Sequence, residues 1–131
     1  MKLRMISPRK ARKSYKKGLA YNKHGALTLY PDVIKKMGLK EGDQIAIIQD
    51  EEKPKDFYLL RTKSQEYPSL RGKKNTNFLM CGYKTALATI CESFRIPVMS
   101  INLPVGGAIK TELGQAFCLI TSALGKEGND E

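Results

Sequence analysis

The apolar residues of this chain occur in short runs, and turn-forming or charged residues separate the runs. Short runs rich in β-branched, aromatic and leucine residues predict strands, whereas apolar residues spaced three and four apart predict one face of a helix. These criteria predict strands at 26–30, 44–49, 57–61, 78–81, 98–103 and 116–121, and helices at 31–37 and 84–95. We therefore expect a small, sheet-rich α+β fold with antiparallel strands and two helices, in which two halves repeat the order strand, helix, strand, strand.

Composition and charge divide the chain into an arm, a body and a tail. We expect a flexible basic arm at 1–13, one compact domain at 14–124 with halves 14–62 and 77–124 joined by the polar segment 63–76, and an acidic tail at 125–131. A single domain of 131 residues with 41% hydrophobic residues has enough apolar side chains for a core. No apolar run approaches the roughly 18–20 residues of a membrane span, and the first residues lack the pattern of a secretory signal. A cytoplasmic protein without membrane contact is expected.

Positive charge is concentrated at the start of the chain. Nine of the first 24 residues are lysine or arginine and none is acidic, whereas residues 25–131 carry 14 basic and 13 acidic side chains. Such a segment favours a polyanion, because each phosphate that it neutralises releases condensed counterions. The basic residues expected to contact nucleic acid in this region are Arg9, Lys10, Arg12, Lys13, Lys16, Lys17 and Lys23.

Two further features extend this candidate surface. Tyr15 and Tyr21 lie between the basic residues and are candidates for stacking on unpaired bases, although tyrosines in such a pattern are also typical of half-buried strands. Arg71, Lys73 and Lys74 form a second basic patch, for which a solvated linker is an equal interpretation.

The segment Gly25–Asp43 has regular punctuation. Pro31 suits the first turn of a helix, Gly38 permits a left-handed end, and Gly42 with Asp43 permits a sharp turn into the next strand. With this order of elements, residues 25–47 resemble the AbrB-like swapped-hairpin family of bacterial transcription factors and antitoxins. The resemblance implies two chains interlocked as a homodimer that binds duplex DNA through its N-terminal hairpins. By this resemblance, Lys16, Lys17, Lys23 and His24 lie where the DNA contacts would be.

Other function classes find less support in the sequence. His24 is the only histidine, and no paired acids or Cys-x-x-Cys motif accompany it, so we expect no enzyme activity, metal or cofactor. Cys81, Cys91 and Cys118 lie among apolar neighbours and are expected to be buried free thiols. We therefore predict a DNA-binding transcriptional regulator. The alternatives are a single-stranded DNA or RNA binder of the PC4 or Whirly type, and a protein-interaction module.

Overall fold

Two antiparallel sheets and two helices make up the computed structural model, which describes Leu3, residues 17–72 and 76–122, and Leu124. The elements are β1 Leu19–Tyr21, β2 Ala26–Leu29, α1 Pro31–Met37, β3 Gln44–Gln49, β4 Phe57–Thr62, β5 Arg71–Gly72, β6 Leu79–Gly82, α2 Lys84–Ser93, β7 Ile101–Leu103, β8 Val105–Thr111 and β9 Gly114–Leu119. The five-stranded sheet has the order β5-β6-β2-β1-β7, and the four-stranded sheet has the order β3-β4-β9-β8. These elements confirm the expected sheet-rich α+β class.

Corresponding strands of the two halves pair at the centre of each sheet. In the five-stranded sheet β2 runs antiparallel to β6, with Leu29 opposite Leu79. In the four-stranded sheet β4 runs antiparallel to β9, with Phe57 opposite Leu119. Hairpin partners flank these central strands symmetrically, with β1 and β5 in one sheet and β3 and β8 in the other. The strand order is therefore symmetric about these central pairs except for β7 beside β1, and each sheet contains strands from both halves.

One core joins both sheets and both helices. The hairpin of β1 and β2 turns Leu19, Tyr21, Leu27 and Leu29 inward, and all four side chains are almost fully buried. The same apolar cluster includes Leu87 and other residues of α2, Val33 of α1, and inward-facing residues of β4 and β9. Each fully buried leucine contributes roughly 1.5–3 kcal/mol relative to an exposed one, so the halves stabilise each other.

The short helix α1 has the bounds predicted from its local sequence. Pro31 begins it, and the carboxylate of Asp32 accepts two hydrogen bonds from the backbone N–H of Gly18, both at 3.0 Å. Gly38 ends it in the left-handed conformation, with φ of +66°. Asp32 therefore fixes Gly18, the residue before β1, against the start of α1.

The second half departs from the prediction at its strand boundaries. The strand expected at 98–103 is limited to Ile101–Leu103, and a strand absent from the prediction, β8, begins at Val105. The reason is a change of sheet, because Leu103 pairs with Leu19 whereas Val105 pairs with Leu119 of the other sheet. Pro104 lies at the crossing, and a bulge between Val105 and Ala108 accompanies it.

The polar segment 63–76 takes part in the fold, as far as its described residues show. Leu70 is only 1% exposed and belongs to the core, and Arg71 and Gly72 form β5. Ser69 pairs with Gln44 at the start of β3. Ser69, Leu70, Arg71 and Gly72 therefore contribute to the core and to sheet pairing.

Candidate nucleic-acid interface

One face of the five-stranded sheet is turned away from the core. We call it the outer sheet face, and a row of cross-strand neighbours defines it: Asn102, Ala20, Thr28, Met80 and Arg71. Asn102 and Arg71 are exposed, and the other three side chains are half-buried. Because the residues before and after Ala20, Thr28 and Met80 point into the core, these three side chains and those of Asn102 and Arg71 form the outward side of the sheet.

Two neighbouring concavities lie on this surface. The first, of about 760 Å³, is lined by residues that include Met80, Gly82 and Arg71. The second, of about 610 Å³, also contacts Gly82 and adds Tyr67 and Lys84. Tyr67 is 38% exposed, so the second concavity has an accessible aromatic side chain, and its charged lining residues are Lys84 and Glu66.

Cations cluster at the end of the outer sheet face where β1 turns into β2. The side-chain oxygen of Asn22 accepts hydrogen bonds from the N–H groups of His24 and Ala26, at 2.9 and 3.0 Å, and this fixes the turn. Lys23 and His24 are consequently exposed. Lys84 lies beside them, because a Cβ placed on Gly25 would be 2.5 Å from the Cβ of Lys84.

Further cations border the outer sheet face elsewhere. Lys17 is exposed at the opposite end of β1 from Lys23, and Arg71 is exposed on the edge strand β5. Glu41 adds a negative charge at the same edge, since its carboxylate accepts the N–H of Gly72 at 2.8 Å. Among the described residues the only ion pair joins Arg61 to Asp43, at 3.8 Å. The cations of this surface are therefore not neutralised by ion pairs within the described part of the chain.

The position of Tyr21 conflicts with a stacking role. Its side chain points into the core and is 2% exposed, and its hydroxyl has no hydrogen-bond partner among the described residues. Burial, followed by the nearby Cys81 and Tyr83, raises the pKa of Tyr21 well above its ordinary value. Tyr21 therefore cannot present its ring to a base without leaving the core.

Of the other predicted contact residues, the structure describes Lys17, Lys23 and Arg71. Those that lie outside the described residues are Arg9, Lys10, Arg12, Lys13, Tyr15, Lys16, Lys73 and Lys74. Lys84 and Tyr67 are exposed on this surface as well, although the sequence did not predict them as contact residues. No local signal marks either residue, because the pairing of Gly82 with Ala26 is what brings Lys84 beside the first hairpin.

Features of other kinds of site are not found in the described ranges. No group of three or more His, Cys, Asp and Glu side chains there is suited to hold a metal ion. Cys81 and Cys91 are buried and Cys118 is half-buried, all three as free thiols. None of the described helices has the length and apolar character needed to cross a membrane. No protein-family model, curated protein or solved structure matches this chain.

Proposed function

We propose that this protein binds duplex DNA, as a transcriptional regulator, through the outer sheet face and the basic N-terminal residues. The observation that carries the proposal is the set of exposed cations without ion-pair partners in the described chain, at both ends of β1, at the start of α2 and on β5. Exposed lysine and arginine side chains around an accessible sheet suit phosphate contacts, which position a protein on nucleic acid. A cytoplasmic location is part of this proposal.

Two-fold geometry favours a duplex over a single strand. An antiparallel pair has a local two-fold axis perpendicular to its sheet, and the strand order is symmetric about the central pair of β2 and β6 except for β7. A B-form duplex has two-fold axes perpendicular to its length, and dimeric DNA-binding proteins align their own axis with one of them. A single strand has no such axis. The resemblance of residues 25–47 to the swapped-hairpin family supports the same choice.

In the swapped-hairpin family two chains interlock, whereas here a single chain contains both sets of strands. The central pairs β2 with β6 and β4 with β9 are formed within a single chain. We therefore propose that one chain occupies one DNA site, in place of the homodimer that the resemblance implies. A complex with a short duplex should contain one chain of 14.7 kDa, which light scattering after size-exclusion chromatography measures.

A pair of lysine substitutions tests the proposed surface. We expect Lys23→Ala with Lys84→Ala to weaken binding of a labelled duplex and to lower the slope of log K against log salt by about 1.8, because each lost phosphate contact accounts for about 0.9. The matched control is Lys53→Ala with Lys110→Ala, two exposed lysines of the four-stranded sheet, one in the turn between β3 and β4 and one on β8. Equal losses in the two double variants would contradict the assignment of the surface.

A single-strand binder is the second candidate, and Tyr67 favours it. Its exposed ring beside Lys84 offers a stacking platform that Tyr21 does not. If single strands are the ligand, Tyr67→Ala should weaken their binding by about 1–3 kcal/mol. If a duplex is the ligand, the substitution should leave duplex affinity within about twofold, because stacked base pairs leave no free base face for the ring.

A further inference from the structure

The four-stranded sheet has an apolar face of its own, on the side away from the main core. Ala46, Leu60 and Ala116 are neighbours across β3, β4 and β9 and form a small buried cluster. Ile109 of β8 lies opposite Ala116 and is 43% exposed. This face is therefore only partly covered by the described residues of the chain.

A groove of about 480 Å³ lies on this face between the β3–β4 turn and the β8–β9 turn. Tyr58, Ile109 and Leu113 supply apolar surface, and Leu113 is 63% exposed. The rest of the lining includes four carboxylates: Asp50, Glu51, Glu52 and Glu112. We call this site the acidic groove.

The four carboxylates of the acidic groove outnumber the two lysines that adjoin its lining residues in the sequence, Lys53 and Lys110. None of the described residues that line it is a lysine or arginine, and none of its four acids has an ion-pair partner in the described chain. Lys55 of the same turn is directed elsewhere, because its Nζ lies over the ring of Phe94 at 5.7 Å from the centroid. Apolar surface with surplus negative charge suits a segment that carries both apolar and basic side chains.

We propose that the acidic groove binds the N-terminal segment, residues 1–16, of a second copy of the chain. This segment contains seven basic residues and no acid, and it also contains Leu3, Met5 and Ile6. It therefore complements the groove in both charge and apolar character. Leu3 is 89% exposed, so its side chain is not packed against its own chain and is accessible to another copy.

The contact would be head-to-tail, since the segment of one copy and the groove of the next are different surfaces. Such heterologous contacts form a closed assembly only if the rotation between successive copies allows closure, and otherwise they build open chains. The association should be weak and sensitive to salt, because exposed charges provide much of it. It does not depend on nucleic-acid binding.

Sedimentation of the full-length protein without nucleic acid tests the proposal. At low salt the average mass should rise above 14.7 kDa with protein concentration, and at high salt it should return to that value. Glu51→Lys with Glu112→Lys should keep the protein monomeric at every concentration. The matched control, Glu66→Lys with Glu92→Lys, reverses two exposed acids outside the groove and should associate like the wild type.

A labelled synthetic peptide of residues 1–16 gives a second readout on the full-length protein. Its affinity should fall about tenfold or more in the groove variant and stay unchanged in the control. The peptide with Leu3→Ser should also bind more weakly, and this comparison leaves the protein unaltered. Three outcomes would each overturn the proposal. They are equal losses of affinity in the groove and control variants, a particle of fixed mass that does not respond to salt, and a monomer that does not bind the peptide.

Discussion

Removing the hydroxyl of Tyr21 should stabilise the protein. In the hairpin of β1 and β2 this side chain lies between Ile101 and Leu27, its cross-strand neighbours, and its hydroxyl has no hydrogen-bond partner among the described residues. A buried polar group without a partner costs about 1–3 kcal/mol. Tyr21→Phe removes this cost and keeps the ring in the core. We expect the free energy of unfolding to rise by about 1 kcal/mol, the lower end of that range.

The opposite result is expected for the same change at Tyr83. Its hydroxyl oxygen accepts the backbone N–H of Ile47 at 3.2 Å, on the edge strand β3. Tyr83→Phe leaves that N–H without its partner and should lower the free energy of unfolding by about 1 kcal/mol. The two variants lose the same atom, so the difference in sign isolates the hydrogen bond from the change in side-chain polarity.

Urea denaturation measures both effects. A change of 1 kcal/mol moves the midpoint by about 0.3–1 M for a protein of this size. Tyr21→Phe should also leave the affinity for duplex and for single-stranded DNA unchanged, since the ring does not reach solvent. A lower midpoint for Tyr21→Phe would refute the reasoning, because it would mean that the hydroxyl makes a stabilising contact. Weaker binding of single strands would refute the assignment of Tyr21 to the core.

The remaining predictions concern the backbone, pH and the arm. Gly38→Ala should lower the free energy of unfolding by about 1–2 kcal/mol, because its φ is positive but its surroundings are open. Gly18→Ala should lower the free energy of unfolding by clearly more in the same denaturation assay, since its Cβ would also overlap the backbone of Leu103 and Pro104. Equal decreases for the two variants would contradict the close approach of Gly18 to this backbone. Burial raises the pKa of Cys81 from 9.0 to about 11, so the thiol ionises at lower pH in the unfolded chain than in the folded one. The free energy of unfolding should therefore fall as pH rises from about 9 to 11, and it should fall less in Cys81→Ala. Deleting residues 2–13 should leave the urea midpoint unchanged and reduce the salt dependence of DNA binding. An unchanged slope of log K against log salt would mean that the arm does not contact DNA.

Features determined by local sequence were predictable. Pro31 and Gly38 mark the two ends of α1 through their own backbone restrictions, so its bounds agree with the prediction. The strands β3 and β4 were equally clear, because long apolar runs flank a polar turn. In each case the decisive residues lie within a few positions of one another.

Features determined by distant pairing were not predictable. The crossing at Pro104 depends on Leu103 pairing with a strand more than eighty residues earlier, and nothing in the local sequence indicates that partner. β5 consists of two residues and exists only because β6 lies beside it. For the same reason, the sequence did not predict that Lys84 lies at the candidate surface or that Tyr21 is buried in the core. Tyr21 ends the strand β1, and which face of that strand is covered depends on the whole fold.

We propose that the outer sheet face and the arm bind duplex DNA. The most direct test is the affinity of the full-length protein for one oligonucleotide in duplex and in single-stranded form, measured by fluorescence anisotropy across a salt series. We predict tighter binding of the duplex at every salt concentration, with log K falling linearly against log salt and a slope that reflects several phosphate contacts at about 0.9 each. Affinity that is independent of salt, or single strands that outcompete the duplex at matched salt, would contradict the account.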